Sequence, residues 1–331
     1  MNILALGFFN QITGYGNHTD SFFAALARYC NVTRNQLSMN GSSLGVTELD
    51  TRPSKIDATI ILAPPIMFPN LKHYAQGIKI GYWACEDTII SSEESESLKY
   101  VDKRWVTSHW GQNVLERHQI NADVVPEGID PKDFQNIEPL PELDTDQFKF
   151  LCVAQKISSN RKNTALLLRA FQEEFSTKEA YLIWASTHEP DQKLPNMRWV
   201  QSQSARKDFV RIYPSCDAFV LPTRTEGWGL PILEAMAAGL PTLAPRYSAI
   251  TEYMPEDYPF QLSYQAQPYL KDGVWQVGAE VDLDDMKKKM REVFADAQAR
   301  DVARQMSSQF QELWNWDEAA KEAMNLMQSY L

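Results

Sequence analysis

Short apolar runs alternate with longer stretches of helical spacing along nearly the whole chain, and that rhythm restricts the fold more than any single motif. Such alternation marks βαβ units, which build a parallel sheet with helices on its faces. In the first part "NILALGF", "ATIILAP", "IKIGYWA", "RWVTS" and "ADVVPEG" read as strands ending in turn residues. Thr19 to Tyr29 places Phe22, Phe23, Leu26 and Tyr29 at helical spacing, and Asn113 to His118 predicts a short helix after "TSHW". Residues 131–147 break the rhythm: Pro131, Pro139 and Pro141 stand among five acids, and the stretch reads as an inter-domain linker. The alternation then restarts with "FKFLCVAQ", "NTALLLRAFQEEF", "AYLIWAS", "MRWVQSQ", "ARKDFVRIYPSC", "DAFVLPT", "PILEAMAAG" and "LPTLAPR". Two such runs in 331 residues predict two doubly wound α/β domains facing a central cleft. From Asp282 onward the tail reads as helical, with Asp284 and Asp285 on a solvated helix face.

Composition narrows the function. A hydrophobic fraction of 44% excludes a disordered chain. The net charge of −11 argues against a broad phosphate-backbone interface, so nucleic acid is an unexpected partner. Cys30, Cys85, Cys152 and Cys216 form no CxxC pair and read as reduced thiols beside apolar runs. "MNILALGFFN" lacks a basic leading region and reads as a first strand, not a signal peptide. No apolar run reaches the ~18 residues of a membrane span. These features together predict a cytoplasmic protein.

The stretch "TRTEGWGLPILEAMAAGLP" carries the most chemistry. Pro231 suits the first position of a helix and Gly239 its end. A strand therefore runs through a glycine-bearing loop straight onto a helix N-terminus, whose free N–H groups and dipole favour a diphosphate. Gly227 and Gly229 let backbone approach a ligand closely. Glu226 in the loop and Glu234 one turn into the helix flank that corner. A phosphate would repel them, whereas sugar hydroxyls would donate to them. The motif implies a nucleotide-sugar. In "KISSNRKN", Lys156, Arg161 and Lys162 follow the strand that opens the second domain, where α/β proteins bind ligands, and would stabilise a departing diphosphate.

"EGWGLPILEAMAAGLPTLA" resembles the Glu-x7-Glu motif of retaining glycosyltransferases of the GT-B architecture, in particular family 4, the glycogen-synthase and mannosyltransferase-like group. The resemblance extends to "FKFLCVAQKISSNRKNTALLLRAFQEEF", to "RWVTSHWGQNVLERHQINADVVPEGIDPKDF" and to the tail "SSQFQELWNWDEAAKEAM". It implies two Rossmann-like domains, an N-terminal one over 1–135 joined by a returning helix at about 315–331, and a C-terminal one over 147–312. It further implies that Glu226 lies over the transferred sugar and Glu234 holds the ribose. The N–H groups of Trp228 to Leu230, beside Gly227 and Gly229, would serve sugar and phosphate. Lys162 matches the family's lysine. The family's arginine directly after the strand has no match, since Gln155 and Lys156 stand there, so Lys156 and Arg161 both remain candidates for the second phosphate ligand.

"FFNQITGYGNHTD" holds Gly14 and Gly16, a pairing that fits a plain turn as well as a ligand loop. By resemblance it is the family's glycine-rich N-terminal loop, in which Thr13 and Tyr15 would meet the ligands. Where many relatives carry a histidine, this chain has Glu86 and Asp87. Similar enzymes with an aromatic strand followed by Glu point to Glu86 as the catalytic residue, with His109 and His18 as other candidates. The whole implies a retaining hexosyltransferase that uses a UDP- or GDP-sugar and a hydroxyl acceptor, without metal or other cofactor. Transfer would occur on the face from which the diphosphate leaves. A GT-B-like epimerase and a non-catalytic nucleotide-sugar-binding subunit are the alternatives.

Overall fold

The computed structural model describes every residue except Ile12, Gly41, Ser42, 157–159, Asp191, 203–205 and Leu331. The chain divides into two units, Met1–Gly128 with Trp314–Leu331, and Ile129–Leu313.

The first unit is built on a seven-stranded sheet. Its elements are β1 (Asn2–Gly7), α1 (Gly14–Leu26), β2 (Asn31–Asn40), β3 (Ser43–Glu48), β4 (Ala58–Leu62), α2 (Phe68–Leu71), β5 (Ile78–Trp83), α3 (Ser92–Ser97), β6 (Lys103–Val106), α4 (His109–Arg117) and β7 (Asp123–Val124). The strand order is β3-β2-β1-β4-β5-β6-β7, parallel except for β3, which pairs antiparallel with β2. Ile3 to Leu6 of β1 and Ala58 to Leu62 of β4 are buried on both faces, as continuous apolar runs in a covered parallel sheet should be. The order reverses between β1 and β4, and the β1 end leads into α1.

In the second unit β8 (Phe148–Val153), α5 (Thr164–Glu174), β9 (Ala180–Ser186), β10 (Met197–Gln201), α6 (Arg206–Phe209), β11 (Ala218–Val220), α7 (Leu230–Ala237) and β12 (Thr242–Leu243) form a second doubly wound fold. Its sheet, β10-β9-β8-β11-β12, is wholly parallel. A hairpin of β13 (Tyr264–Lys271) and β14 (Val274–Val281) follows, then α8 (Leu283–Ala295) and α9 (Ala299–Leu313). The last helix, α10 (Trp316–Tyr330), belongs to the first unit. There Trp316 stacks on His18 of α1, with ring centroids 5.4 Å apart, and Trp105 Nε1 donates to the Tyr330 hydroxyl at 2.9 Å. Two Rossmann-like folds with a C-terminal helix are what the resemblance implies.

Three local expectations change. The segment 131–147 is no free linker. Its Leu140 N–H donates to Ser215 Oγ at 2.7 Å, and Arg211 donates to the Glu138 and Pro139 carbonyls at 3.0 Å each, so it is tied to the second unit. Helix α1 begins at Gly14, five residues before the expected Thr19, because Thr13 caps it by accepting from the Gly16 N–H at 3.0 Å. Strand β3 and the β13–β14 hairpin were not anticipated. Among the described residues no helix is long and apolar enough to cross a membrane.

Candidate active site

In an open parallel sheet, ligands bind beyond the strand C-termini where the strand order reverses. That point in the second unit lies between β8 and β11, which pair through Ala218 with Phe150 and Phe219 with Leu151. The loop after β8 carries Arg161 and Lys162, and the loop after β11 carries Glu226. Sequence places these loops about 65 residues apart; the sheet order brings them together.

Hydrogen bonds stitch the two loops. The Arg224 N–H donates to the Arg161 carbonyl at 2.7 Å, and Arg161 Nη1 donates to the Thr225 carbonyl at 2.9 Å. Glu226, only 3% exposed, receives Arg161 Nη1 on Oε2 at 2.9 Å and Lys162 Nζ on Oε1 at 2.6 Å. Burial by itself would push this carboxyl up, but the adjacent Lys162 and Arg161 outweigh it and hold Glu226 well below the ordinary carboxylate range. Lys156 is exposed, and its carbonyl accepts from Thr164 at 3.2 Å; residues 157–159 of the same loop lie outside the described residues.

The glycine loop turns as its sequence demands. Gly229 is the N-cap of α7 with φ of 92°, a conformation that disfavours side chains, and a Cβ there would stand 3.0 Å from the Tyr253 hydroxyl. Leu230 is therefore the first helical residue and Pro231 the second, one place later than expected. Gly227, Trp228 and Leu230 are buried with it, Tyr253 donating to the Trp228 carbonyl at 3.1 Å. Gly239 closes the helix with φ of 73°.

Glu234 has a different set of partners. Its Oε1 receives Arg206 Nη1 at 2.7 Å, its Oε2 receives the Tyr213 hydroxyl, and Arg206 Nε reaches Asp133 Oδ2 at 2.8 Å. The two carboxylates thus sit in separate charge networks. Sequence reasoning missed Arg206, Tyr213 and Asp133, since no local spacing connects them to Glu234.

In the first unit, Gly14 and Gly16 form the opening turn of α1 rather than a free loop. Gly16 is needed for packing, because a Cβ there would lie 1.8 Å from the Gln11 carbonyl oxygen, whereas Gly14 faces open space. Tyr15 is half-buried; burial and then the charges of Glu86 and Glu127 raise its phenol, which places all three side chains in one neighbourhood. Sequence reasoning did not single out Glu127, which lies inside the "RWVTSHWGQNVLERHQINADVVPEGIDPKDF" stretch. His18 is 1% exposed, caged by Phe22, Tyr82 and Trp316, with Nδ1 3.2 Å from Glu127 Oε1. His109 opens α4 at an exposed position. Among the described residues no three His, Cys, Asp or Glu side chains converge as a metal site would require.

Residues 147–294 match the family described as glycosyl transferases group 1. The sulfoquinovosyl transferase SQD2 of Arabidopsis thaliana is 29% identical over 118 residues, covering 36% of this chain and 21% of that protein. This chain therefore aligns with about a fifth of that relative's length. Sucrose-phosphate synthase from Thermosynechococcus elongatus superposes with a TM-score of 0.71 at 14% identity, over 99% of this chain and 98% of that one. Anabaena HepE, solved in complex with UDP and glucose, superposes with a TM-score of 0.70 at 10% identity, over 99% of this chain and 100% of that one.

Proposed function

From the premise of a group 1 glycosyltransferase domain in a GT-B fold, we propose that this protein transfers a hexose from a UDP- or GDP-sugar to a hydroxyl acceptor, with retention and without a metal. The observation that carries this reading is the buried Glu226 carboxylate held by Arg161 and Lys162 where β8 and β11 end. Arg161 and Lys162 bring two cationic side chains to the ends of these strands. The diphosphate takes those side chains together with the N–H groups at the start of α7. Cations fixed there stabilise the charge that grows on the leaving group. The acceptor oxygen bonds to the anomeric carbon as the bond to the phosphate oxygen breaks, and the acceptor proton passes to that departing oxygen. Glu226 lies over the transferred sugar, and Glu234 accepts from the ribose. Tyr15, Glu86 and Glu127 mark the acceptor side. Cys85, Cys152 and Cys216 are buried and none is in a disulfide, which suits a reducing compartment, and we assign the enzyme to the cytoplasm.

A donor screen tests this. EDTA-treated protein is incubated with UDP-, GDP- and ADP-sugars, and release of nucleoside diphosphate is followed with wild type and Glu226→Ala. Slow hydrolysis of one donor, unchanged by EDTA and lost in the variant, is expected. Hydrolysis that stops on chelation overturns the metal-free mechanism, and failure to bind any nucleotide overturns the reading in favour of a subunit with an inactive site.

A further inference from the structure

The inference rests on the donor site just proposed and concerns its ribose end. Glu234 is 2% exposed, and its carboxylate is gripped from both sides. Arg206 Nη1 lies 2.7 Å from Oε1, the Tyr213 hydroxyl donates to Oε2, and Arg206 Nε is in turn fixed by Asp133 Oδ2 at 2.8 Å. As a purely structural device this is a costly choice, because apolar side chains of similar volume commonly stabilise a core as well as a buried ion pair does. What the arrangement provides is a carboxylate of fixed orientation. An ionised carboxylate only accepts hydrogen bonds, about four of them, whereas a protonated one also donates.

We propose that Asp133, Arg206 and Tyr213 form a positioning relay that orients the Glu234 carboxylate toward the vicinal hydroxyls of the donor's ribose and thereby sets how strongly the site prefers a ribonucleotide. Each link has its own cause. Tyr213 stays a donor, since burial and then the Glu234 charge raise its phenol well above the usual range. Arg206 stays a cation: burial opposes its charge, but Glu234 and Asp133 more than compensate. Asp133 stands on the connecting segment after Asp130, so that segment's docking onto the second unit sets where Arg206 points. Orientation settled before binding spares the rotamer ordering that a loose Glu234 would cost.

The test is calorimetric binding of UDP and GDP, each against its 2′-deoxy form, with inorganic pyrophosphate as a probe of the phosphate end alone. A hydrogen bond to a charged group is worth about 1.5–3 kcal/mol, so wild type should prefer the ribonucleotide by roughly 10- to 100-fold. Tyr213→Phe, Asp133→Asn and Arg206→Lys should each shrink that ratio to about threefold or less while leaving pyrophosphate affinity unchanged. Arg206→Lys keeps the charge but cannot bridge both carboxylates; Tyr213→Phe removes a single hydrogen bond and Asp133→Asn a single charge, and these two are the variants least prone to misfold. If the variants retain wild-type circular dichroism and the full ribose preference, the relay is structural only and the proposal falls. Equal wild-type affinity for ribo- and deoxynucleotide overturns it too, although the donor site would stand. Absence of any nucleotide binding by wild type would instead reject the donor site itself, and the relay with it.

Discussion

Glu226 is anchored by two cations, and the proposed function gives the same side chain a place over the transferred sugar. Its folded-state pKa is depressed from 4.5 to about 2, because Lys162 and Arg161 outweigh the burial that opposes ionisation. The stabilisation this brings is present above the unfolded value and is lost as pH falls through the folded one. Glu226→Gln should therefore unfold at lower urea than wild type at pH 7, and the gap should close between about pH 4.5 and pH 2. A gap that stays constant down to pH 2 would mean that the carboxylate is not ion-paired in solution. The same variant should lose roughly 10²- to 10³-fold in turnover, the scale of removing one charged stabiliser from a buried site.

At the scale of elements, the β13–β14 hairpin is the least expected part and directly supports the loop that carries Glu226. The Tyr269 hydroxyl is 2.8 Å from Thr225 Oγ1, the Ala279 N–H donates to the Arg224 carbonyl at 2.9 Å, and Arg224 pairs with Glu280 at 2.6 Å. Gly278 admits this contact, since a Cβ there would stand 2.7 Å from the Cβ of Arg224. Gly278→Ala should push the loop outward, lowering stability by about 1–3 kcal/mol and weakening nucleoside diphosphate binding several-fold in a titration. Tyr269→Phe should cost about 1–3 kcal/mol, because it leaves a buried Thr225 hydroxyl without that partner. Unchanged binding in both variants would show the hairpin to be a passive attachment. A local signal for this hairpin does exist. Asp272 and Gly273 both have positive φ, 49° and 82°, the geometry that a two-residue Asp-Gly turn prefers. Pro268 and the glutamines between the apolar residues of β13 obscured the strand itself.

For the whole molecule, the notable feature is that a chain passing through the second unit ends inside the first. Helix α10 buries Trp316, Ala319, Ala320, Ala323 and Met327, and Asp317 receives hydrogen bonds from Arg28 at 3.1 Å and Tyr29 at 2.8 Å. Burial of a large apolar side chain contributes about 1.5–3 kcal/mol. Removing residues 314–331 should thus strip amide-exchange protection from α1 and lower the melting temperature, while β8 to β12 stay protected. Retained protection in α1 would show that the helix is dispensable to the first unit.

What the sequence determined by itself was whatever depends on neighbours along the chain. The strand–helix alternation, the parallel character of both sheets and the glycine-bearing turn onto α7 all follow from local period, from Pro231 and from a backbone at Gly229 that other residues resist. The motif also singled out Glu226 and Glu234, and the basic loop after β8 singled out Lys162. Tertiary structure alone decided which groups those carboxylates meet: Arg161 with Lys162 on one, Arg206 with Tyr213 on the other. It also made Gly14 and Gly16 a helix start, and it bound the acidic, proline-bearing segment to the second unit. The physical reason is that strand order, not spacing, decides which loops emerge side by side, and a buried charge takes the partners which that order delivers.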